Sequence, residues 1–156
     1  MSHENKQRNV RVLAVSSGGG HWVELLRLLP AFDGSSVTFV SVNRTYAKEV
    51  SGYRFYKVFD VTRWNKIRWI QTALQIVWIL MRERPDVVIS TGALPGYMAV
   101  RLGKMLGAKT IWVDSIANVE ELSHSGECIG KYADFWLTQW EHLAKVEGPE
   151  YRGSVL

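Results

Sequence analysis

The stretch Val87–Gly96 reads VVISTGALPG, a short apolar run that ends in small and polar residues and two glycines. A second such run, Lys109–Glu120, reads KTIWVDSIANVE, and a third, Val12–His21, reads VLAVSSGGGH. Continuous apolar runs of this length are typical of the buried strands of parallel sheets. Because open α/β sheets bind ligands at the carboxyl ends of their strands, the three loops together predict one binding cleft.

On either side of these runs, strands alternate with helical patterns. This alternation predicts an α/β fold, a Rossmann-like doubly wound parallel sheet with right-handed crossovers. Residues 10–156 are expected to form this single domain, after a disordered polar tail over residues 1–9. Pro30 and Pro85 are expected to end helices, and Gly107 to cap one. The predicted strands are Val10–Ser16, Val37–Val42, Arg54–Val58, Asp86–Ser90, Thr110–Asp114 and Phe135–Thr138. The predicted helices are Trp22–Leu29, Lys66–Arg84, Gly96–Leu106 and Glu127–Ala133, with a helical or irregular piece at Tyr46–Val50.

The composition indicates a cytoplasmic protein with a mild basic bias. The chain has 156 residues, 47% of them hydrophobic, a net charge of +4 and a single cysteine, Cys128, which excludes an internal disulfide. No signal peptide is visible, and the longest apolar stretch, Trp69–Met81, is too short and too polar to span a bilayer. We therefore expect membrane contact to be peripheral. The charge suits phosphates, nucleotide sugars or acidic lipid headgroups, and no nucleic-acid partner is expected.

The loop Ser16–His21, SSGGGH, connects the first predicted strand to a helix. Ser17, Gly18, Gly19 and Gly20 are predicted to bind substrate, because glycines let backbone N–H groups approach a ligand and a helix N-terminus favours an anion. The alternative is a tight strand–helix turn without a ligand.

Two better-known phosphate motifs do not fit this loop. The dinucleotide pattern GxGxxG would require a glycine at position 23, which is Val23, and Asn43-Arg44 supplies no acid for a ribose. No Gly-Lys-Ser/Thr follows the loop either. A stand-alone NAD or ATP enzyme is therefore the weaker alternative, and no cofactor is expected.

Two side chains in the predicted cleft are candidate catalytic residues. His21, at the junction of loop and helix, has the chemistry of a general base or a phosphate contact, or else it is a structural histidine. Asp114, at the end of the fifth strand, is placed to accept a proton from a sugar hydroxyl, or else to cap the following turn. The chain shows no metal-ligand spacing of His, Cys, Asp or Glu residues.

The predicted helix Lys66–Arg84 carries two apolar stripes. One stripe is expected to pack on the sheet and consists of Ile67, Ile70, Leu74, Val77 and Met81. The second stripe consists of Trp69, Ala73, Ile76 and Leu80, and it begins next to the basic residues Arg63, Lys66 and Arg68. Such a stripe predicts a membrane or partner surface formed by Trp64, Lys66, Arg68, Trp69, Ile76 and Leu80. Burial of both stripes by neighbouring helices is the alternative.

As a set, these motifs resemble the asparagine-linked glycosylation protein fourteen family and its bacterial capsule and exopolysaccharide relatives. The resemblance extends over roughly Val10 to Tyr151. More distantly, the chain resembles the N-terminal half of the peptidoglycan glycosyltransferase MurG. The matching motifs are Ser17–His21, Ile89–Gly96, Lys109–Glu120, Leu122–Gly126, Ala133-Asp134 and Gln139-Trp140.

This resemblance implies the N-terminal, acceptor-side half of a GT-B glycosyltransferase, whose active site lies between two Rossmann-like domains. A separate thirteen-type subunit would supply the C-terminal domain that binds the UDP-sugar. The acceptor would be a polyprenyl-diphosphate-linked sugar at the cytoplasmic membrane face. Eukaryotic relatives carry an N-terminal membrane anchor, whereas this chain has a polar tail there. The positions that carry over are His21 and Asp114 as catalytic residues and Gly18, Gly19, Gly20, Gly92, Gly96, Asn118 and Glu120 as substrate-binding residues.

We therefore interpret the chain as a non-autonomous subunit of an inverting, UDP-sugar-dependent glycosyltransferase in surface polysaccharide synthesis. It is expected in the cytoplasm, peripheral at the inner face of the cell membrane, and without a metal. The alternative outside enzymes is a membrane adaptor that recruits and activates the catalytic partner.

Overall fold

The computed structural model describes residues 9–62 and 64–155. The predicted tail lies outside the described residues except for Asn9, and so does Arg63. The described chain is built around one seven-stranded sheet. Its strands are β1 (Arg11–Val15), β2 (Ser36–Ser41), β3 (Arg54–Lys57), β4 (Val87–Ser90), β5 (Lys109–Val113), β6 (Phe135–Thr138) and β7 (Glu150–Tyr151).

All neighbouring strands are parallel, in the order β3-β2-β1-β4-β5-β6-β7. The helices are α1 (Gly20–Arg27), α2 (Lys66–Glu83), α3 (Ala93–Met105) and α4 (His124–Ile129), with 3₁₀ turns at Leu29–Phe32, Arg44–Lys48 and Glu141–Leu143. The strand order changes direction at β1, which has β2 on one side and β4 on the other. The predicted Rossmann-like, doubly wound fold is thereby confirmed.

Apolar residues of the central strands alternate between two cores, as the period of a strand requires. Leu13 and Val15 of β1 belong to a core that includes α2, α3 and α4, whereas Val12 and Ala14 belong to a core with α1. Helices therefore cover both faces of the sheet. Because Val15 is in register with Ser90, the loops after β1 and β4 begin side by side.

Two helices begin three residues earlier than predicted, and one strand was not predicted. Helix α3 begins at Ala93, three residues early, because Pro95 is tolerated in a first turn, where its missing N–H has no acceptor. Helix α4 begins at His124, because the Ser123 hydroxyl accepts a hydrogen bond from the Gly126 N–H at 2.9 Å and caps it. The two-residue strand β7 was not predicted, since its sequence is polar and it exists only through its ladder with β6.

The prediction for the two stripes of α2 was wrong, because they are exchanged. Ile76 and Leu80 are buried against the sheet, whereas the stripe expected to be buried is largely in solvent. Its exposed members are Ile67 (71%), Ile70 (63%), Leu74 (65%) and Met81 (64%).

Two polar residues of α2, one in its first half and one at its last position, account for this orientation. Thr72 is buried and donates to the Phe59 carbonyl oxygen at 3.3 Å. At the other end, Glu83 accepts hydrogen bonds from Thr38 and Tyr56 at the edge of the sheet. Both side chains lie on the face of Ile76, so their hydrogen bonds turn that face inward. No described helix is long and apolar enough to cross a membrane.

Candidate functional site

His21 joins the first Gly-rich loop to the loop after β4. It is the second residue of α1, and its Nδ1 lies 2.9 Å from the Thr91 carbonyl oxygen, while the Thr91 hydroxyl donates to the His21 carbonyl oxygen at 2.6 Å. Since a carbonyl oxygen only accepts, the contact assigns the proton to Nδ1. Nε2 is then the basic nitrogen, and it has no hydrogen-bond partner among the described residues. The side chain is 29% exposed, so a substrate can reach it.

Gly92 is where the two loops touch. A Cβ on this residue would lie 2.5 Å from Cε1 and 2.6 Å from Nδ1 of His21, and the backbone has a φ of +139°. No side chain fits at this position. Gly92 therefore lies directly against the His21 ring, and its contact with substrate stays a prediction.

Glu24 connects the same region to the loop after β5, and the sequence analysis missed it. Its Oε1 accepts hydrogen bonds from the Ser115 hydroxyl at 3.0 Å and the Ile116 N–H at 2.8 Å. Its Oε2 lies 4.0 Å from Nδ1 of His21. A signal was present, because Glu24 follows His21 by three residues and so shares its helix face. The three predicted loops thus meet around His21 and Glu24.

The first loop holds its shape through a residue that sequence reasoning also missed. The Tyr46 hydroxyl accepts a hydrogen bond from the Gly19 N–H at 3.0 Å, and its ring stacks on Trp22 with centroids 4.7 Å apart. Gly20 is exposed, and a Cβ there would meet nothing within 4 Å. The loop is therefore open around Gly20. The Trp22 N–H donates to the Gly19 carbonyl oxygen at 3.1 Å, so the N–H groups of Gly20 and His21 are the ones at the start of α1 that lack intrahelical acceptors.

Asp114 is buried, 1% exposed, and four donors surround its carboxylate. Oδ1 accepts from Trp112 Nε1 at 3.1 Å and from the Ser123 hydroxyl at 2.5 Å. Oδ2 accepts from Asn118 Nδ2 at 3.0 Å and the Ser123 N–H at 2.9 Å. This geometry favours the second interpretation of Asp114, a residue that shapes the turn, over a base facing substrate.

The other predicted site residues have different surroundings. Ser17 is partly buried, and its carbonyl oxygen accepts from the hydroxyl of Ser41 at 2.8 Å. Glu120 is exposed in the loop after β5. Gly96 is buried inside α3, where a Cβ would lie 1.9 Å from Ser90 Oγ. Helix and strand approach too closely here for a side chain, so packing accounts for the glycine, and its contact with substrate stays a prediction.

The predicted surface on α2 is only partly right. Trp64, at 92% exposure, Lys66 and Arg68 face solvent. Ile76 and Leu80 are 1% and 3% exposed and belong to the core, so their assignment to the surface was wrong. Trp69 is half-buried, and its indole N–H donates to the Thr62 carbonyl oxygen at 3.1 Å.

Apolar side chains nevertheless form an exposed row along α2 and the residue before Asn65, its N-cap. We call this row the apolar stripe; it consists of Trp64, Ile67, Ile70, Leu74, Trp78 and Met81. Helical spacing places its five members within α2 on one side of the helix. Within residues 9–62 and 64–155, no group of three His, Cys, Asp or Glu side chains has the arrangement to hold a metal ion.

Two solved structures share the fold of this chain. MurG of Acinetobacter baumannii superimposes with a TM-score of 0.75 at 11% identity, covering 93% of this chain and 45% of that one. The UDP-N-acetylglucosamine 2-epimerase of Rickettsia bellii superimposes with a TM-score of 0.70 at 14% identity, covering 94% and 45%. The chain therefore spans less than half the length of each of these two structures.

Sequence relatives identify the family. The chain is 31% identical to the UDP-N-acetylglucosamine transferase subunit alg14 of Schizosaccharomyces pombe, over 99% of this chain and 87% of that protein. It is 25% identical to the subunit ALG14 of Homo sapiens, over 96% and 85%. The family described as oligosaccharide biosynthesis protein Alg14 like matches residues 57–155. These matches confirm the resemblance found in the motifs, and the chain belongs to the Alg14-like family of oligosaccharide biosynthesis proteins.

Proposed function

We propose that this chain is the acceptor-side subunit of a two-component UDP-N-acetylglucosamine transferase and is active only with its partner. Its family makes it a glycosyltransferase subunit. The observation that carries the proposal is the position of His21, which lies between two glycine-bearing loops at the carboxyl ends of β1 and β4 and whose Nε2 has no hydrogen-bond partner among the described residues. The sugar donated is inferred from the names of the sequence relatives.

The fold and the names of the sequence relatives support the proposal of a partner. The chain superimposes on 45% of the MurG chain, and its sequence relatives are named as subunits. We infer that a thirteen-type subunit supplies the second Rossmann-like domain and binds the UDP-sugar. The cleft at β1 and β4 would then face the donor across the interface between the subunits.

The cleft suits an acceptor that carries phosphate. The N–H groups of Gly20 and His21, which lack intrahelical acceptors at the start of α1, would favour an anion such as the diphosphate of a polyprenyl-linked sugar. Nε2 of His21 would take the proton of the acceptor hydroxyl as that oxygen attacks the sugar of the donor. The resemblance alone suggests a role in surface polysaccharide synthesis.

A lipid-linked acceptor requires contact with a membrane, and we assign it to the apolar stripe. Six apolar side chains, from Trp64 at 92% exposure to Trp78 at 54%, lie along one side of α2, with Lys66 and Arg68 exposed beside them. Aromatic and aliphatic residues next to cations are typical of helices that lie in an anionic membrane interface. This arrangement supports a cytoplasmic protein, peripheral at the inner face of the membrane.

One observation favours the membrane adaptor as a second candidate. All four hydrogen bonds of the Asp114 carboxylate are made to the protein itself, so His21 is left as the candidate base in this chain. If His21 is also structural, the reacting groups lie in the partner.

Reconstitution distinguishes these functions. The chain alone should transfer no sugar, and addition of the partner should restore transfer to a lipid-linked acceptor. His21→Ala should lower the rate of the reconstituted pair at least about a hundredfold, the lower range for a general base. His124→Ala, which changes an exposed histidine of α4 whose Nε2 lies 3.8 Å from Cys128 Sγ, is the control. Near-normal turnover by His21→Ala would establish the adaptor, and turnover by the chain alone would reject the two-component enzyme.

A further inference from the structure

The carboxylate of Glu24 is buried, and only one of its two oxygens, Oε1, accepts hydrogen bonds from described residues. The residue is 4% exposed, and Oε1 accepts from Ser115 and Ile116. Oε2 is buried without a hydrogen-bond partner among the described residues. A buried charged oxygen is costly unless an opposite charge compensates it.

The basic group that this oxygen faces is His21. Nδ1 of His21 lies 4.0 Å from Oε2 of Glu24 and 2.9 Å from the Thr91 carbonyl oxygen. Both oxygens lie on the Nδ1 side of the ring, which keeps the proton on Nδ1 and leaves Nε2 as the basic nitrogen. When Nε2 takes up a second proton, the ring becomes a cation at ion-pair distance from a buried carboxylate.

We propose that Glu24 is a positioning residue for His21 in the transfer reaction, an inference that rests on the proposed function. The O–H bond of the acceptor breaks as Nε2–H forms, and the acceptor oxygen bonds to the anomeric carbon while UDP leaves with the electron pair. Oε2 of Glu24 stabilises the imidazolium formed in this step. Oε1 holds the loop after β5 against α1.

Glutamine at position 24 separates these two roles. Its amide oxygen can still accept from Ser115 and Ile116, as Oε1 does. The charge facing His21 is lost, and the size of the side chain is kept. Glu24→Gln therefore tests the charge without removing the link between α1 and the loop after β5.

The first experiment measures transfer by the reconstituted pair. Glu24→Gln should lower kcat roughly tenfold or more and change the KM for the acceptor less than about twofold, because the charge acts on the protonated base rather than on binding. In the His21→Ala background, the same substitution should cause no further loss. Glu49→Gln, at a carboxylate that accepts from Trp22, is the control and should retain normal kcat. An unchanged kcat, or an equal loss in both backgrounds, would overturn the proposal.

The second experiment observes the His21 ring directly in the full chain. Nitrogen NMR of the imidazole should show the proton on Nδ1, and Glu24→Gln should lower the share of that tautomer. An identical spectrum in the two proteins would overturn the proposal. Full transfer by His21→Ala would reject the base assigned under the proposed function, whereas strong dependence on His21 together with a normal Glu24→Gln enzyme would reject the role of Glu24 alone.

Discussion

Gly92 and His21 are in such close contact that a single methyl group on the glycine would overlap the imidazole ring, 2.5 Å from Cε1. The histidine is held on this wall by its exchange of two hydrogen bonds with Thr91. The position of the candidate base is therefore set by the loop after β4 as much as by its own helix.

Gly92→Ala should displace the His21 ring. The added methyl and the φ of +139° together should lower the free energy of unfolding by about 1–3 kcal/mol. Transfer by the reconstituted pair should fall as it does in His21→Ala. Thermal unfolding and initial rates measure the two effects. Gly20→Ala is the matched control for stability, because a Cβ there meets nothing within 4 Å. Equal stability of both variants would contradict the crowding at Gly92.

Asp114→Asn should lower the stability of the protein and not only its rate of sugar transfer. The amide nitrogen cannot accept the hydrogen bonds that one carboxylate oxygen now accepts, and loss of bonds to a buried charge should cost about 1.5–3 kcal/mol. Chemical denaturation measures this loss. Ser123→Ala, which removes one of the four donors, should cost less. If Asp114→Asn abolished transfer at unchanged stability, Asp114 would be a catalytic residue after all.

Substitutions in the apolar stripe should release the chain from anionic vesicles. Ile70→Ser with Leu74→Ser removes exposed apolar area and should change the stability by less than about 0.5 kcal/mol, as expected at surface positions. Sedimentation with vesicles measures binding. Val23→Ser, at a 47% exposed residue of α1, is the control.

Charge should contribute to the same binding. Each basic residue near an anionic surface contributes about 1 kcal/mol, so Lys66→Glu with Arg68→Glu should weaken vesicle binding at least about thirtyfold. Binding that survives both double substitutions would assign the apolar stripe to a protein partner.

Asp134 should make the stability depend on pH in the acid range. Burial acts to raise its pKa, but hydrogen bonds from Lys104 and Thr110 outweigh burial, and the pKa is lowered overall. A lowered pKa in the folded state means that the stabilisation is present above the unfolded pKa, about 3.9, and is lost as the pH falls through the folded value.

Asp134→Asn should therefore destabilise the chain at pH 7 and less so as the pH falls below about 4. Thr110→Val, which removes only the hydroxyl donor, should reduce the pH dependence in part. Denaturation at several pH values measures both variants. A difference between Asp134→Asn and the wild type that stays constant with pH would contradict the role of Asp134.

Local sequence determined the order and type of strands β1 to β6 and of the four helices. Apolar runs such as Val87–Ser90 end at glycines and prolines, and both signals act over a few residues, so they are visible without the fold. The loops after β1, β4 and β5 were predicted for the same reason. Their meeting around His21 follows from the shared carboxyl edge of a parallel sheet.

The tertiary structure decided which face of α2 is buried and which distant residues contact Glu24 and β7. Both stripes of α2 are apolar, so periodicity predicts the helix but not its rotation, which the hydrogen bonds of Thr72 and Glu83 set. Glu24 matters only because Ser115 and Ile116, more than ninety positions further along the chain, contact it. Strand β7 exists only because β6 offers a partner. In each case the deciding contact joins residues at least 13 positions apart in sequence. A pattern that extends over a few neighbouring residues cannot predict such a contact.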